Sequence, residues 1–333
     1  MIFLFPYYPF YVLFLIMKKI LIIRFSSIGD IVLTSPIIRC IKLQTDVELH
    51  FLTKKEYSII LESNPYIDKL VFFNTLKLTL KALRLEDYDI IIDLQNNMRS
   101  FWLKLNLRAT ALSVCKGNWA KFFYINFGIN YLKDHVVDRY FKTVKNINVV
   151  NDCQGLEYFL GSNINIDFDV QKRFIAWSIG GTYEQKTLSK EQIIEVCNNL
   201  SIPIVLLGGD NEKAIGSQII KESINKSIVN FCGHLSLDES AYLIQKSCLV
   251  LTNDTGLMHI AACFKKIIIS FWGCTKPPLG FSPYITDEQS VQIVFQPLSR
   301  ACSKHGSSCR LTEKGCVKNI SANQILEVLH KSI

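Results

Sequence analysis

The chain has 333 residues, 49% of them hydrophobic and 20% charged, which is apolar material for about two domains with their own cores. That composition excludes an intrinsically disordered chain, a collagen-like repeat and a small disulfide scaffold. The balance of 37 Lys and Arg against 29 Asp and Glu leaves a net charge of +8, which favours acidic partners without naming one.

In chain order the first feature is an apolar head. Residues 1–16, MIFLFPYYPFYVLFLI, carry no charge and lift the mean hydropathy to +0.21. The head is shorter than the roughly 20 apolar residues of a spanning helix, and Pro6 and Pro9 interrupt it. It lacks the basic n-region and small-residue cleavage site of a signal peptide. A second start at Met17, followed by Lys18-Lys19 and an apolar strand, favours a mis-assigned start, with residues 1–16 outside the fold. A membrane-associating tail and an anchor are the competing readings. No other stretch is long and apolar enough to span a bilayer.

Short apolar runs then alternate with amphipathic stretches, which indicates α/β structure with parallel sheets. Strands are expected over 20–25, 48–52, 70–73 and 90–94, and helices over 31–42 and 75–85. The irregular stretch 146–172 holds the domain junction. A second alternation places strands over 174–178, 204–207, 228–231, 249–252 and 267–271. Its helices fall over 190–200, 212–222, 237–247 and 257–263, with a last helix over 322–330. Ser189 with Gln192, and Ser236 with Glu239, read as capping boxes. The expected architecture is two Rossmann-like domains, 17–160 and 161–320, facing a central cleft, with a C-terminal helix in 321–333. Ligands of such folds bind at the carboxyl ends of strands.

Four strand-end loops carry the chemistry. In Arg24-Phe25-Ser26-Ser27-Ile28-Gly29-Asp30, Gly29 permits a tight turn and Asp30 stands at a helix start. Asp30 is either an N-cap or a carboxylate aimed out of the strand end as a general base, and both can hold at once. The loop lacks G-x-G-x-x-G, and no Walker A sequence occurs, which argues against a dehydrogenase and a P-loop enzyme. The second loop, Asp93-Leu94-Gln95-Asn96-Asn97-Met98-Arg99-Ser100, is an ordinary helix cap or a polar acceptor-binding loop. On the second reading Asp93, Gln95, Asn97 and Arg99, with Ser27 and Gly29, meet the acceptor, and Arg99 suits a phosphate or carboxylate. From residue 94 to 146 there are nine Lys or Arg and two Asp or Glu, interleaved with Phe101, Trp102, Trp119, Phe122, Phe123 and Tyr124. Basic plus aromatic fits nucleic acid or an anionic membrane surface, and a merely solvated face explains the aromatics poorly. The third loop is Ser178-Ile179-Gly180-Gly181-Thr182 followed by Lys186, where backbone N–H groups and a lysine can meet a phosphate. The fourth, Thr252-Asn253-Asp254-Thr255-Gly256, opens a helix whose free N–H groups make an anion site. Asp254 can accept hydrogen bonds from sugar hydroxyls, and His259 shares a helix face with Gly256.

The segments KKILIIRFSSIGDIVLTSPIIRCIK, DYDIIIDLQNNMRS, IPIVLLGGDNE, CGHLSLDESAYLIQKS and LTNDTGLMHIAACFKKIIISFWG run from residue 18 to about 284. Together they resemble the heptosyltransferase family of lipopolysaccharide assembly, glycosyltransferase family 9. The resemblance implies a GT-B architecture with the nucleotide sugar held mainly by the C-terminal domain. It implies an inverting, metal-independent transfer from an ADP-heptose-type donor, with no cofactor. Asp30 matches the family's catalytic base. Gly181, Thr182 and Lys186 match the donor-phosphate loop, and Glu212 the acidic residue that holds the nucleoside. Asp254, Thr255 and Gly256 match the donor-binding D-T-G, and His259 the histidine that follows it. The usual Trp-Pro after the lysine is Leu188-Ser189 here. The implied acceptor is an acidic glycolipid, the lipid A core, met by a cytoplasmic enzyme peripheral to the inner membrane. Nucleic acid is not an expected partner. The alternatives are another GT-B glycosyltransferase using a different nucleotide sugar on O-antigen or capsule, a non-enzymatic nucleotide-sugar or nucleic-acid binder, and a sugar-nucleotide epimerase of similar fold.

Eleven cysteines without a secretory signal suit reduced thiols. Cys302, His305, Cys309 and Cys316, spaced C-x2-H-x3-C-x6-C, offer four soft ligands for zinc. The spacing departs from paired-Cys fingers, and packed thiols are the plainer reading, so no metal is expected.

Overall fold

Near-continuous runs of Ile, Leu and Val suit strands covered on both faces, and this chain uses them for two parallel sheets. A computed structural model describes residues 19–285, 290–295 and 299–333. The apolar head, residues 1–16, lies outside the described residues. The chain divides into two units. One holds the stretch ending at Ser27 with Thr34–Lys116 and Val137–Asp152, and the other holds Ile28–Leu33, Gly117–Val136 and Cys153–Ile333.

In the first unit, β1 (Lys19–Ile23), β2 (Glu48–Thr53), β3 (Lys69–Phe72), β4 (Ile90–Asp93) and β5 (Thr110–Ser113) are all parallel, in the order β3-β2-β1-β4-β5. Ile20, Leu21, Ile22 and Ile23 of β1 are wholly buried. The helices of the N-terminal half are α1 (Ile28–Val32), α2 (Ser35–Gln44), α3 (Leu76–Arg84), α4 (Met98–Asn106), α5 (Asn118–Phe127) and α6 (Val136–Val144). The single helix expected over 31–42 is thus two. Pro36 sits in the first turn of α2, where its missing N–H costs nothing but cannot extend α1. β5 was not expected from the sequence. Its Thr-Ala-Leu-Ser run lies at a sheet edge and is mostly exposed.

In the second unit, β6 (Ile175–Ser178), β7 (Ile204–Leu207), β8 (Ile228–Asn230), β9 (Leu249–Asn253), β10 (Ile268–Trp272) and β11 (Ser290–Val294) are parallel, in the order β11-β10-β9-β6-β7-β8. Counted from its own first strand this is the doubly wound order 3-2-1-4-5-6. Its helices are α7 (Lys190–Asn198), α8 (Lys213–Glu222), α9 (Leu237–Lys246), α10 (Gly256–Cys263) and α11 (Ala322–Ser332). The capping boxes of Ser189 with Gln192 and of Ser236 with Glu239 both form. Ile325 and Leu329 of α11 join Ile193, Val196 and Trp177 in one core, so the terminal helix belongs to this unit.

The units are cut differently from the expected 17–160 and 161–320. Two pieces of the N-terminal half pack with the second unit, and each has a physical reason. α1 carries Gly29, which lets it lie directly on α10. α5 carries Tyr124, which packs with Leu279 and Ala301 and donates its hydroxyl to the Ser299 carbonyl at 3.1 Å. The basic segment 94–146 is therefore not one surface of one domain, as the charge count suggests. Lys121 is buried with its Nζ 4.7 Å above the Phe281 ring, and Arg139 is buried and donates to the Lys116 carbonyl.

Candidate active site

Each sheet changes winding direction beside its own first strand, between β1 and β4 in one unit and between β6 and β9 in the other. The loops leaving those strands stand at the carboxyl ends of their own sheets, where α/β folds bind ligands. The four loops singled out from the sequence leave these four strands.

The second unit gathers Asp30 and all the predicted donor residues. β9 ends in Thr252 and Asn253, both buried. The Asn253 side chain donates to the carbonyls of Ile179 and Gly180, each at 3.0 Å, and so ties the loop after β6 to the end of β9. Thr255 is the N-cap of α10, with its hydroxyl 3.4 Å from that of Ser178 and 3.3 Å from that of Thr252. Asp254 pairs with Lys186 at 2.7 Å, both side chains being mostly buried. Lys186 closes a 3-10 turn, Glu184–Lys186, and its stem lies against Gly306. A Cβ on Gly306 would stand 2.6 Å from Lys186 Cγ, and its φ of +75° also favours glycine. Glu212 accepts from the Gly209 amide at 2.8 Å and lays its carboxylate against Gly180. Gly181 packs on Thr187, and Thr182 is exposed.

Two glycines set Asp30. A Cβ on Gly256 would meet Ile28 Cγ2 at 2.6 Å, and one on Gly29 would meet His259 Cδ2 at 2.6 Å. Backbone therefore meets backbone where α1 lies on the first turn of α10, and Asp30 is carried on that contact. His259 is 4% exposed, with its ring against Gly29 and no hydrogen-bond partner at Nδ1. Burial pushes it down to about 4, with Asp254 and Asp30 pulling the other way, so it is neutral near pH 7. It serves as a neutral packing group on which α1 rests. His305 is held below its ordinary value by burial and by Lys304 and Lys121.

In the first unit the acceptor candidates separate into two kinds. Asp93 is wholly buried. It accepts from the amides of Gln95 and Asn96 at 3.0 and 2.6 Å and pairs with Lys104 at 2.7 Å. All of that is internal, so Asp93 shapes the loop and does not present a carboxylate to a ligand. Gln95 accepts from the Phe25 amide at 2.9 Å, and Asn97 caps α4 in a box with Ser100. Arg99 and Ser27 are exposed, and the Arg99 guanidinium lies 5.9 Å from the Phe73 ring centre.

Arg24 and Asn253 have positioning roles that the sequence alone does not indicate. Arg24 donates to the carbonyls of Ser26 and Leu94 at 2.8 and 2.7 Å and clamps the loops after β1 and β4. The available signal was a charged or amide side chain at the last position of an apolar strand run. His305 is also misplaced by spacing. The thiols of Cys302, Cys309 and Cys316 converge on Cys274 instead, and His305 is not in that group.

The sequence profile of Glycosyltransferase family 9 (heptosyltransferase) matches residues 77–309. Lipopolysaccharide heptosyltransferase 1 of Campylobacter coli is 24% identical over 290 residues, covering 77% of this chain and 84% of its own. A glycosyl transferase family 9 structure from Veillonella parvula superposes with a TM-score of 0.76 at 18% identity, covering 95% of this chain and 97% of its own. Escherichia coli heptosyltransferase WaaC, solved with ADP-2-deoxy-2-fluoro heptose, gives a TM-score of 0.70 at 18% identity, covering 95% and 100%. Among the described residues no helix is long and apolar enough to cross a membrane.

Proposed function

From the premise that this chain belongs to glycosyltransferase family 9, and is a GT-B glycosyltransferase related to lipopolysaccharide heptosyltransferases, we propose an inverting transfer of heptose. The donor is of the ADP-heptose type, and the acceptor is a hydroxyl of the lipopolysaccharide inner core. The observation that carries the reading is the α1–α10 contact, which mounts Asp30 on the same helix end that begins Asp254-Thr255-Gly256.

On this reading Asp30 takes the proton of the acceptor hydroxyl as its oxygen attacks the anomeric carbon from the face opposite the nucleotide. The α10 N-terminus presents free N–H groups and a positive dipole end to the leaving diphosphate. Lys186 supplies a full charge, and the diphosphate competes with Asp254 for it. Asp254, released from that pair, is then an acceptor for sugar hydroxyls. Glu212, which lies on Gly180, takes the nucleoside on this reading, as the family pattern implies. The Gly181 and Thr182 amides border the phosphates. Arg99 and Ser27 are the exposed groups for an anionic acceptor, with Gln95 and Asn97 holding their loops.

The reading also places the enzyme at the cytoplasmic face of the inner membrane by peripheral contact. Its support is the cluster on and beside α5, where Trp119, Phe122, Phe127 and Tyr131 are exposed and the first three are linked by edge contacts through Phe122.

The test is incubation with ADP-heptose, then with a panel of UDP-sugars, and a lipid A–Kdo acceptor, read by product mass and by the anomeric configuration. Asp30→Asn should lower turnover roughly 100- to 10,000-fold, the usual range for a lost general base, with an unchanged melting curve. Full turnover in Asp30→Asn, or a product of retained configuration, would overturn the mechanism. Transfer from a UDP-sugar alone would overturn the donor.

A further inference from the structure

Four cysteines from two separate stretches of the second unit converge. Cys274 lies two residues past β10. Cys302, Cys309 and Cys316 lie in the segment between β11 and α11, whose residues 299–315 form no helix or strand. One sulfur from each cysteine lies within 4.8 Å of all the others. Cys316 Sγ stands 3.8 Å from Cys274, 3.6 Å from Cys302 and 3.0 Å from Cys309. A tetrahedral ion with metal–sulfur bonds of about 2.3 Å has sulfur–sulfur edges of about 3.8 Å, so the set is already close to the size of a coordination shell. All four thiols are free, and a disulfide would need sulfurs at about 2.0 Å.

The surroundings fit thiolates better than packed thiols. Cys309 Sγ accepts from the amides of Leu311 and Thr312, both at 3.4 Å, so backbone donors two and three residues on point at the sulfur. Such donors orient and stabilise a metal-bound thiolate. The Cys302 amide donates to the Cys274 carbonyl at 2.8 Å, which fixes two of the four positions relative to each other. Lys276, two residues past Cys274, is buried and donates to the Phe295 carbonyl. Among the described residues the cysteines form a small cluster of their own, with Phe295 packed against it. A stretch this long without secondary structure is fastened by side chains, and here the cysteines supply one such point.

We propose that Cys274, Cys302, Cys309 and Cys316 form a structural tetrathiolate site for one thiophilic transition-metal ion, zinc or iron. Binding a divalent ion displaces four thiol protons and leaves a closed site with no open position for catalysis. Its effect on transfer is indirect. The segment it fastens presents Gly306 to the stem of Lys186, and Gly315, at φ +102°, to the Gln185 backbone, where a Cβ would stand 2.6 Å from Gln185 Cα. The turn that carries Lys186 therefore rests on the metal-bound segment.

The full chain, purified under reducing conditions from medium containing zinc and iron salts, should carry about one equivalent of metal. Elemental analysis separates the two ions, and iron also shows thiolate charge-transfer colour that zinc lacks. Either ion supports the site. Cys274→Ser and Cys309→Ser should each lose most of the metal. Cys309 is only half-buried, so its variant tests the site even if Cys274→Ser fails to fold. His305→Ala should keep the metal. A folded chain that stays metal-free after zinc chloride or anaerobic ferrous iron is added would overturn the proposal. So would a Cys309–Cys316 disulfide in the reduced preparation, or loss of metal in His305→Ala.

Discussion

Asn253→Ala removes one side chain and two hydrogen bonds. The Asn253 amide is buried and donates at 3.0 Å to the carbonyls of both Ile179 and Gly180, the first residues of the loop after β6. Alanine takes the donor from both carbonyls, and a buried acceptor left without its partner costs about 1–3 kcal/mol. Taking the lower half of that range for each, because loop carbonyls can turn toward water, gives about 2–4 kcal/mol for the pair. In a unit of roughly 200 residues, each kcal/mol lowers Tm by roughly 2–4 °C. The transition of the second unit should then fall by roughly 5–15 °C. Differential scanning calorimetry reads the shift. Asn253→Asp is the sharper variant, since it keeps the shape and turns a donor toward two carbonyls into an acceptor. It should destabilise at least as much as alanine. The same variants should raise KM for the donor more than they lower kcat, because the displaced loop carries Gly181 and Thr182. A Tm within about 1 °C of wild type for Asn253→Asp, where the kcal/mol scale above predicts several degrees, would refute the clamp.

His259 predicts a pH effect with a definite sign. Its folded value of about 4 lies below the ordinary 6.5, so between those values the unfolded chain binds more protons and stability falls as pH drops. The loss from this group, complete below pH 4, is on the order of 3 kcal/mol, and denaturant titrations should show His259→Gln flattening the slope; an unchanged slope counts against a buried neutral imidazole. For the membrane contact, Trp119→Ala with Phe122→Ala should weaken binding to phosphatidylglycerol–phosphatidylethanolamine vesicles roughly tenfold or more, given the apolar area of two aromatic rings. Equal sedimentation of the variant and the parent would remove α5 from the membrane reading.

Much of the fold is legible because its signals are local. The buried strands are unbroken apolar runs, and Ser189 with Gln192 or Ser236 with Glu239 announce helix starts from residues three apart. β5 and β11 are not legible, because edge strands need cover on fewer sides and their residues are mostly exposed or half-exposed. The membership of α1 in the second unit is not legible either. It depends on Gly29 and Gly256 being small at one point of contact, and nothing near either residue in the chain records the other.

The candidate site divides along the same line. Asp254-Thr255-Gly256 and the Gly180-Gly181 turn are contiguous and can be read directly. Asn253 cannot, because its partners lie after β6, and only the switch in strand order makes β6 and β9 neighbours. The first unit repeats the arrangement with different chemistry. Arg24 after β1 reaches the Leu94 carbonyl after β4, and Gln95 after β4 reaches back to the Phe25 amide. In both units the polar residue ending the first or fourth strand binds the other strand's loop, so a side chain that looks like a strand terminus fixes the geometry of the ligand loops. The cysteine group follows the same logic at the next pair of strands. Spacing alone offers His305, three residues from Cys302, but β10 and β11 run side by side. The backbone bond from Cys302 to Cys274 just beyond them delivers a fourth sulfur that no local motif contains.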